Sequence, residues 1–265
     1  LASKTNAAKS FGIEKEMHSN NLNCFNTVVK FCEKTGAKLV HLSSTSVYVK
    51  QTELVDETCE KKYLKPQSPY AKIKILEENI LKKRKKIFYF IILLVFSISF
   101  NQYYGYIGIF PEDSFIIFNS GYDTMNGYFP FKDYYTTTGP LLDVVQALFF
   151  KIFGVSWFSY VLHASVINFI ITIATFYTLI KFELNINYCF FYALLVSILA
   201  YPTAGTPFVD HHSAFLSIVA LFSFILALKT KLNYYWFALP ILLGLAFLSK
   251  QVPSGYIFII IVILS

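Results

Sequence analysis

Hydrophobic positions divide the chain into a mixed N-terminal part and a strongly apolar remainder. Up to about Lys86 polar and apolar residues are interspersed, whereas from Ile87 onward Phe, Ile, Leu and Tyr form long runs with charges mostly between them. The apolar runs fall at about 87–108, 155–180, 188–203, 213–228, 234–249 and 255–265. Runs of this kind are typical of helices that cross a bilayer. We therefore predict about six transmembrane helices, the last one truncated, with the shorter apolar stretch 141–153 interfacial or re-entrant.

The N-terminal part has the pattern of alternating helices and strands. Apolar residues at helical spacing over 21–34 predict a helix, and 38–42 is a short β-type run. The sequence Ser68-Pro69-Tyr70 is typical of a helix start and predicts a second helix to about Lys83. A helix that leads into a strand is half of a βαβ unit. We predict an α/β segment over 1–83, followed by a polytopic all-α membrane domain over 84–265.

Charge separates the same two parts. Residues 1–86 hold 17 Lys and Arg against 9 Asp and Glu, whereas residues 87–265 hold 6 against 7, so the net charge of +7 comes from the first part. The densest basic cluster, KKRKK at 82–86, directly precedes the first apolar run, as cytoplasmic anchors of membrane spans do. We predict a multi-pass protein of the plasma (inner) membrane with a cytoplasmic N-terminal segment and no nucleic-acid partner.

The four cysteines do not indicate a disulfide framework or a zinc site. They show no CxxC spacing and no secretory context; they are Cys24, Cys32, Cys59 and Cys189. We predict reduced thiols and no metal site.

A serine-rich segment followed by Tyr-x-x-x-Lys is the strongest chemical signal in the N-terminal part. The sequence SSTSVY at 43–48 follows the predicted strand, and Tyr70 and Lys74 lie one helical turn apart about 25 residues further on. A lysine ammonium beside a tyrosine stabilises the phenolate, so Tyr70 could move a proton while a hydride is transferred. A serine hydroxyl near the same substrate oxygen would complete the set.

These residues resemble the NAD-dependent epimerase/dehydratase family, which belongs to the extended short-chain dehydrogenase/reductases and acts on nucleotide sugars. The resemblance covers residues 1 to about 83 and implies the C-terminal half of a Rossmann domain. It implies that Ser44 supplies the catalytic hydroxyl, that Tyr70 is the acid/base, and that Lys74 stabilises the phenolate and holds the cofactor ribose. It also implies NAD(P) as cofactor, contacted by Ala2, Tyr70 and Lys74. Because no Gly-x-x-Gly-x-x-Gly occurs in the chain, we expect this segment not to bind NAD as it stands.

The acidic residues of the apolar part collect on one predicted side of the membrane. With 82–86 inside, Glu183 is the only one of the seven acids on the inner side. The six on the outer side are Glu112, Asp113, Asp123, Asp133, Asp143 and Asp210. An anchor or channel does not need this asymmetry. An active site on the outer leaflet does, because a carboxylate can act as general base or ligate a divalent cation, while lysine and histidine can hold a phosphate.

The apolar part contains five motifs: PED at 111–113, GYFPFKDY at 127–134, TGPL at 138–141, ALFFKIFG at 147–154 and GLAFLSKQ at 244–251. These motifs resemble those of the multi-spanning glycosyltransferases of the GT-C type, which take a sugar from a polyprenyl-phosphate carrier. The resemblance covers about 87–265, the N-terminal part of such an enzyme. It implies a catalytic carboxylate, with Asp113 favoured over Glu112 and Asp133, and it implies that Lys250 lies near the donor phosphate.

Other polar residues of the apolar part are predicted to be structural. Asp123 and Asp143 are expected to be solvated, and His163 to make a helix–helix contact. The sequence Asp210-His211-His212 favours an interfacial cluster over a metal site, since two histidines lack a third ligand. For Asp133, a role in capping its loop is as well supported as a catalytic one.

The two resemblances together favour a membrane glycosyltransferase joined to an incomplete nucleotide-sugar epimerase/dehydratase segment, in cell-surface glycan biosynthesis. One alternative is a non-catalytic polytopic protein, such as a flippase or transporter, that carries an inactive dehydrogenase remnant. Another is a true NAD-dependent sugar epimerase/dehydratase with a membrane extension. The chain opens on Leu1 and stops at Ser265 inside an apolar run, so we expect a fragment of a longer protein. The sugar and the acceptor stay open.

Overall fold

The computed structural model describes residues 3–7, 9–48, 65–108, 113–136 and 138–264. The chain divides into two compact units, residues 1–87 and 88–265. The helices are α1 Glu14–Thr35, α2 Pro69–Gly105, α3 Asp113–Met125, α4 Leu141–Phe153, α5 Trp157–Lys181, α6 Ile186–Leu199, α7 Val209–Thr230, α8 Asn233–Ser249 and α9 Gln251–Leu264. Helix α2 contributes to both units.

The first unit contains the two helices that the sequence predicts. Helix α1 buries one face every fourth residue through Met17, Asn21, Phe25 and Val29, and it ends at Gly36, whose left-handed backbone stops the helix. The predicted helix over 21–34 is therefore confirmed and begins seven residues earlier. Helix α2 begins at Pro69 as predicted, but it continues without a break to Gly105 instead of ending near residue 83.

The predicted α/β Rossmann segment is wrong. No strand forms among the described residues, and 37–44 is extended chain between α1 and a short 3₁₀ turn at Thr45–Val47. The side chains that a parallel sheet would bury point to solvent, with Val40 72% and Leu42 77% exposed. A parallel strand is stable only when neighbouring strands satisfy its N–H and C=O groups, and the described part of this unit supplies no neighbour.

The second unit is a helical bundle with three apolar cores. Ala220 and Phe224 of α7 pack with Leu239 and Leu243 of α8. A second core joins α2, α5 and α6, and the third joins α3, α4 and α5. The third core contains Ile117, Leu142, Phe150 and Tyr160. The two short helices α3 and α4 are thereby attached to the longer helices.

Among the described residues, four segments are long and apolar enough to cross a membrane: α2, α5, Ile186–Thr203 and α7. A multi-pass membrane protein is therefore supported, but the predicted count of about six spans is too high. Helices α8 and α9 are apolar but have only 17 and 14 residues. Both fall below the 18 residues of the shortest of the four segments, and α9 extends to the last described residue.

The bundle interior holds more polar groups than the runs of Phe and Leu suggest. The amide of Asn168 in α5 donates to the carbonyl oxygens of Ser97 at 3.1 Å and Ser197 at 2.9 Å, in α2 and α6. Asn101 of α2 donates to the Ser165 hydroxyl at 3.0 Å. Hydrogen bonds between apolar helices fix their rotation and register where dispersion alone is unspecific.

Four helix ends meet at one end of the bundle, which we call the site end: the C-terminal ends of α2 and α8 and the N-terminal ends of α5 and α7. The Trp157 indole N–H donates to the carbonyl oxygen of Gly105 at 2.9 Å, which joins α5 to α2. The Ser213 hydroxyl of α7 donates to the carbonyl oxygen of Lys250, just after α8, at 2.8 Å. The loops that connect these helices are far apart in the sequence and lie close together at the site end.

Candidate functional site

In the first unit, Tyr70 and Lys74 lie one turn apart at the start of α2, as their spacing predicts. The Lys74 ammonium is 5.9 Å from the centroid of the Tyr70 ring and 2.9 Å from Oε2 of Glu77. Its hydrogen bond therefore goes to a carboxylate rather than to the phenol. The local arrangement agrees with a Tyr-x-x-x-Lys helix, but the lysine is held by Glu77.

Ser44 is not brought to Tyr70 by any hydrogen bond of the described residues. Its Oγ accepts the backbone N–H of Ser46 at 3.3 Å and lies 2.8 Å from the Ser46 Oγ, so it caps the 3₁₀ turn. Ala2 lies outside the described residues. The roles that the resemblance implies for Ser44, Tyr70, Lys74 and Ala2 stay predictions.

Sequence reasoning missed a buried histidine beside this pair. His41 Nε2 is 3.6 Å from Oε2 of Glu77, and the Phe25 ring packs edge-on against the imidazole at 5.5 Å. Burial, and next the nearby Lys74 ammonium, lower the pKa of His41 from its usual value, so the imidazole is neutral at pH 7. The i,i+3 spacing of Lys74 and Glu77 is the only sign of this cluster in the sequence. The position of His41 is not visible there, because tertiary contacts place it.

The cavity at this cluster does not fit a dinucleotide. It has a volume of about 190 Å³ and is lined by Ser3, Cys24, Phe25, Val28, Leu39, Val40, His41, Lys74 and Glu77. Sites for drug-sized ligands measure roughly 300–1,000 Å³. This cavity is therefore smaller than such sites, and the Lys74 ammonium in its wall is paired with Glu77.

In the second unit, Glu112 of the PED motif lies outside the described residues, and Asp113 is the first residue of α3. Asp133 has a local role, because its Oδ2 accepts the backbone N–H of Phe129 at 2.9 Å. Its own N–H donates to the carbonyl oxygen of Phe129 at 2.9 Å. Asp133 thus caps its loop, one of the two roles predicted for it.

The prediction that Asp143 is solvated is wrong. Asp143 is 1% exposed, its Oδ1 accepts the Ser120 hydroxyl at 2.6 Å, and its Oδ2 accepts the Tyr134 hydroxyl at 2.9 Å. The Thr124 hydroxyl lies 2.7 Å from that of Tyr134 and completes the cluster. Burial raises the pKa of Asp143 and that of Tyr134, while the hydrogen bonds from Ser120 and Tyr134 act in the opposite direction on Asp143.

The position of Asp143 could have been found from the sequence of α4. The buried residues of this helix are Leu142, Asp143, Gln146, Ala147 and Phe150, which recur at helical spacing. Asp143 therefore lies on the apolar face and not on the solvated one. A carboxylate on such a face needs donors from other elements, and Ser120 and Tyr134 supply them.

Lys250 lies between α8 and α9 at the site end. Its ammonium forms an ion pair with Oδ1 of Asp210 in the first turn of α7, and about a third of its side chain is exposed. Asp210 is thereby a partner of Lys250, a role that the sequence did not predict.

The TGPL motif packs directly on the Lys250 turn. The backbone N–H of Gly139 donates to the carbonyl oxygen of Ser249 at 3.1 Å. A Cβ atom at Gly139 would overlap the carbonyl group of Leu248, so only glycine permits this approach. Two motifs more than a hundred residues apart in the chain therefore form one surface at the site end.

A line of buried polar side chains, which we call the buried relay, runs beneath this surface. Gln146 Oε1 lies 2.9 Å from His163 Nδ1, His163 Nε2 lies 2.9 Å from His212 Nε2, and His212 Nδ1 lies 2.5 Å from the Tyr201 hydroxyl. The Tyr201 oxygen accepts the backbone N–H of Phe208 at 2.8 Å, at the start of α7. With one N–H on each ring, His163 donates to Gln146, His212 donates to His163 and Tyr201 donates to His212, so both imidazoles are satisfied while neutral. The Gln146 Nε2 group has no hydrogen-bond partner among the described residues.

The buried relay connects α4, which follows the TGPL motif, with α5 and with the first turn of α7. That turn also carries Asp210, the partner of Lys250, and the line ends at Tyr201 and Phe208 just before α7. His163 is a helix–helix contact, as predicted, but His212 is 2% exposed and does not belong to an interfacial cluster. No group of three or more His, Cys, Asp or Glu side chains among the described residues could hold a metal ion.

Comparison with known families follows the same division of the chain. Residues 1–99 match the NAD dependent epimerase/dehydratase family, and residues 137–265 match Dolichyl-phosphate-mannose-protein mannosyltransferase, a family of GT-C type membrane glycosyltransferases. Both resemblances predicted from the motifs are confirmed. Nothing among curated proteins or among solved structures matches the chain.

Proposed function

We propose that the second unit is part of a membrane glycosyltransferase that transfers a sugar from a polyprenyl-phosphate carrier, in cell-surface glycan biosynthesis. The observation that carries this proposal is the contact of the TGPL motif with the Lys250 turn through Gly139 and Ser249. The match of 137–265 to a mannosyltransferase family supports the class of donor.

Lys250 is suited to a donor phosphate at this surface. The Lys250 side chain is partly exposed, and its ammonium is held in place by Asp210. The Asp210 side chain is about half exposed. An exposed ion pair of this kind contributes about 0–1 kcal/mol, so an arriving phosphate can compete for the ammonium at little cost. We propose that Lys250 binds the phosphate that becomes the leaving group.

In the proposed reaction, a carboxylate removes the proton from the acceptor hydroxyl. The hydroxyl oxygen then forms the new bond to the anomeric carbon while the bond from that carbon to the phosphate oxygen breaks. The polyprenyl phosphate leaves with its charge beside Lys250. Asp113 is the proposed base, because it begins α3 directly after the first span, and Glu112 and Asp133 are the alternatives.

The donor class is tested by presenting labelled sugars to the protein in lipid nanodiscs. We expect transfer from polyprenyl-phosphate mannose, or from another polyprenyl-phosphate sugar, and none from the corresponding nucleotide sugar. Transfer directly from the nucleotide sugar would contradict the proposal. The absence of transfer from every lipid-linked sugar, with a panel of acceptors offered, would contradict it as well.

We also propose that the site end faces the outside, with the N-terminal segment in the cytoplasm, because the basic cluster 82–86 precedes the first span. Asn119 is exposed on α3, and Glu183 is exposed between α5 and α6 at the other end of the bundle. In a variant without native cysteines, Asn119→Cys should react with an impermeant maleimide in intact cells, whereas Glu183→Cys should react only after permeabilisation. The reverse pattern would show that the orientation is inverted.

A further inference from the structure

The loop at 128–135, which we call the aromatic tip, presents an unusual exposed surface. Its rings Tyr128, Phe129, Phe131 and Tyr135 are between 55% and 85% exposed. Isolated exposed apolar residues are common, but four aromatic rings within eight residues form a patch that water solvates poorly.

The aromatic tip is held in one conformation by its own hydrogen bonds. The backbone N–H of Phe131 donates to the carbonyl oxygen of Tyr134 at 3.0 Å, and Asp133 caps the turn through Phe129. Phe131 has a φ of 65°, a left-handed conformation that an L residue adopts only when its surroundings enforce it. The rings are therefore presented by an ordered turn.

The aromatic tip is attached to the first turn of α4. The Tyr134 hydroxyl donates to the buried Asp143 carboxylate at 2.9 Å, and Ser120 of α3 donates to the same carboxylate. The tip must therefore lie at the level of the start of α4.

Both ends of helix α4 lie at the site end. Its start is held at the C-terminal end of α8 by the hydrogen bond from Gly139 to Ser249. Its last residue, Phe153, is separated from Trp157, the first residue of α5, by only three residues. Both ends of α4 thus meet the ends of apolar helices, and one of these helices, α5, is long enough to cross a membrane.

One side of α4 is also apolar and exposed. Val144, Leu148 and Ile152 recur every fourth residue and are 53%, 54% and 63% exposed, so they form an apolar stripe that is more than half exposed. An apolar stripe on a helix that lies at a membrane surface is typical of interfacial helices.

We propose that the aromatic tip inserts into the lipid headgroup region, beside the exposed stripe of α4, and anchors α3 and α4 to the membrane surface. Tyrosine rings are stable at this depth because it solvates both the ring and the hydroxyl, and phenylalanine rings bury their apolar surface at the boundary with the acyl chains. The Lys132 side chain is 76% exposed at the same turn and can pair with lipid phosphates. The partner is the bilayer itself, and the proposal does not depend on the proposed enzyme activity.

The depth of the aromatic tip can be measured with a fluorescent probe. In a variant without native cysteines, Phe129→Cys is labelled with an environment-sensitive fluorophore and reconstituted into vesicles of neutral and anionic phospholipid. Phe11→Cys is the matched control, since Phe11 is 67% exposed and lies in the first unit. Each labelled variant is used only if its thermal unfolding midpoint equals that of the unlabelled protein.

We expect nitroxide at the headgroup or near the top of the acyl chain to quench the Phe129 probe at least twofold more than the Phe11 probe. Nitroxide deep in the acyl chain should quench the Phe129 probe less than the shallow labels do. Equal quenching of the two probes would overturn the proposal. Energy transfer between labelled copies in place of lipid quenching would also overturn it, because the tip would then contact a second chain.

Discussion

Replacing Lys250 with alanine should lower the rate of sugar transfer by roughly two to four orders of magnitude, because the departing phosphate would lose its counter-charge at the moment the bond breaks. The loss should appear mainly in kcat, with labelled polyprenyl-phosphate sugar as donor. Expression and thermal unfolding should change little, since the ion pair with Asp210 is partly exposed.

Asp210→Asn separates a phosphate ligand from a structural ion pair. It removes the same ion pair but keeps the ammonium of Lys250, so we expect less than a tenfold loss. Equal losses in Lys250→Ala and Asp210→Asn would show that the pairing itself matters and not the cation. A Lys250→Ala protein that keeps more than about a tenth of the activity would contradict the phosphate role.

The proposed base belongs to the same set of measurements. Asp113→Asn should also lower kcat by roughly two to four orders of magnitude, whereas Asp123→Asn, a partly exposed aspartate of the same helix, should be nearly neutral. More than about a tenth of the activity remaining in Asp113→Asn would make Glu112 or Asp133 the candidate.

Replacing His212 with alanine should destabilise the second unit by about 3–5 kcal/mol. The substitution leaves the His163 Nε2 without its donor, leaves the Tyr201 hydroxyl proton with only a 3.4 Å contact to the Phe208 carbonyl oxygen, and creates a cavity. In detergent, the thermal unfolding midpoint should fall by roughly 10 °C.

His211→Ala is the matched control for this prediction. His211 is the neighbouring residue of the same type, but it is only half buried, and its Nε2 makes a long contact of 3.3 Å with Thr203. We expect a cost of about 1 kcal/mol or less. Similar midpoints for the two variants would show that the buried relay does not stabilise the bundle.

Local patterns account for what the sequence predicted correctly. The helix over 21–34 and the start of α2 at Pro69 follow from apolar spacing and from proline at a first helical position. The runs of apolar residues indicated a multi-pass protein, and short motifs were enough to indicate both families. The closeness of Tyr70 and Lys74 needed only the pitch of one helix.

Tertiary contacts decided the rest. The run at 38–42 is β-type in composition, yet a strand depends on neighbouring strands that no local pattern guarantees, and the described residues form none. The number of spans was overestimated because short apolar runs were counted as spans; the run 234–249 corresponds to α8, which has only 17 residues.

The candidate site likewise combines motifs that are visible in the sequence with contacts that only the tertiary structure creates. We inferred from the sequence that the chemistry belongs to 111–113, 138–141 and 250. The contact of Gly139 with Ser249, however, exists only in the folded bundle. His163 and His212 are 49 residues apart and meet because α5 and α7 pack together. Asp143 is buried because Ser120 and Tyr134 donate hydrogen bonds to its carboxylate. Whether a carboxylate can be buried depends on the hydrogen-bond partners that the fold supplies and not on the residue itself.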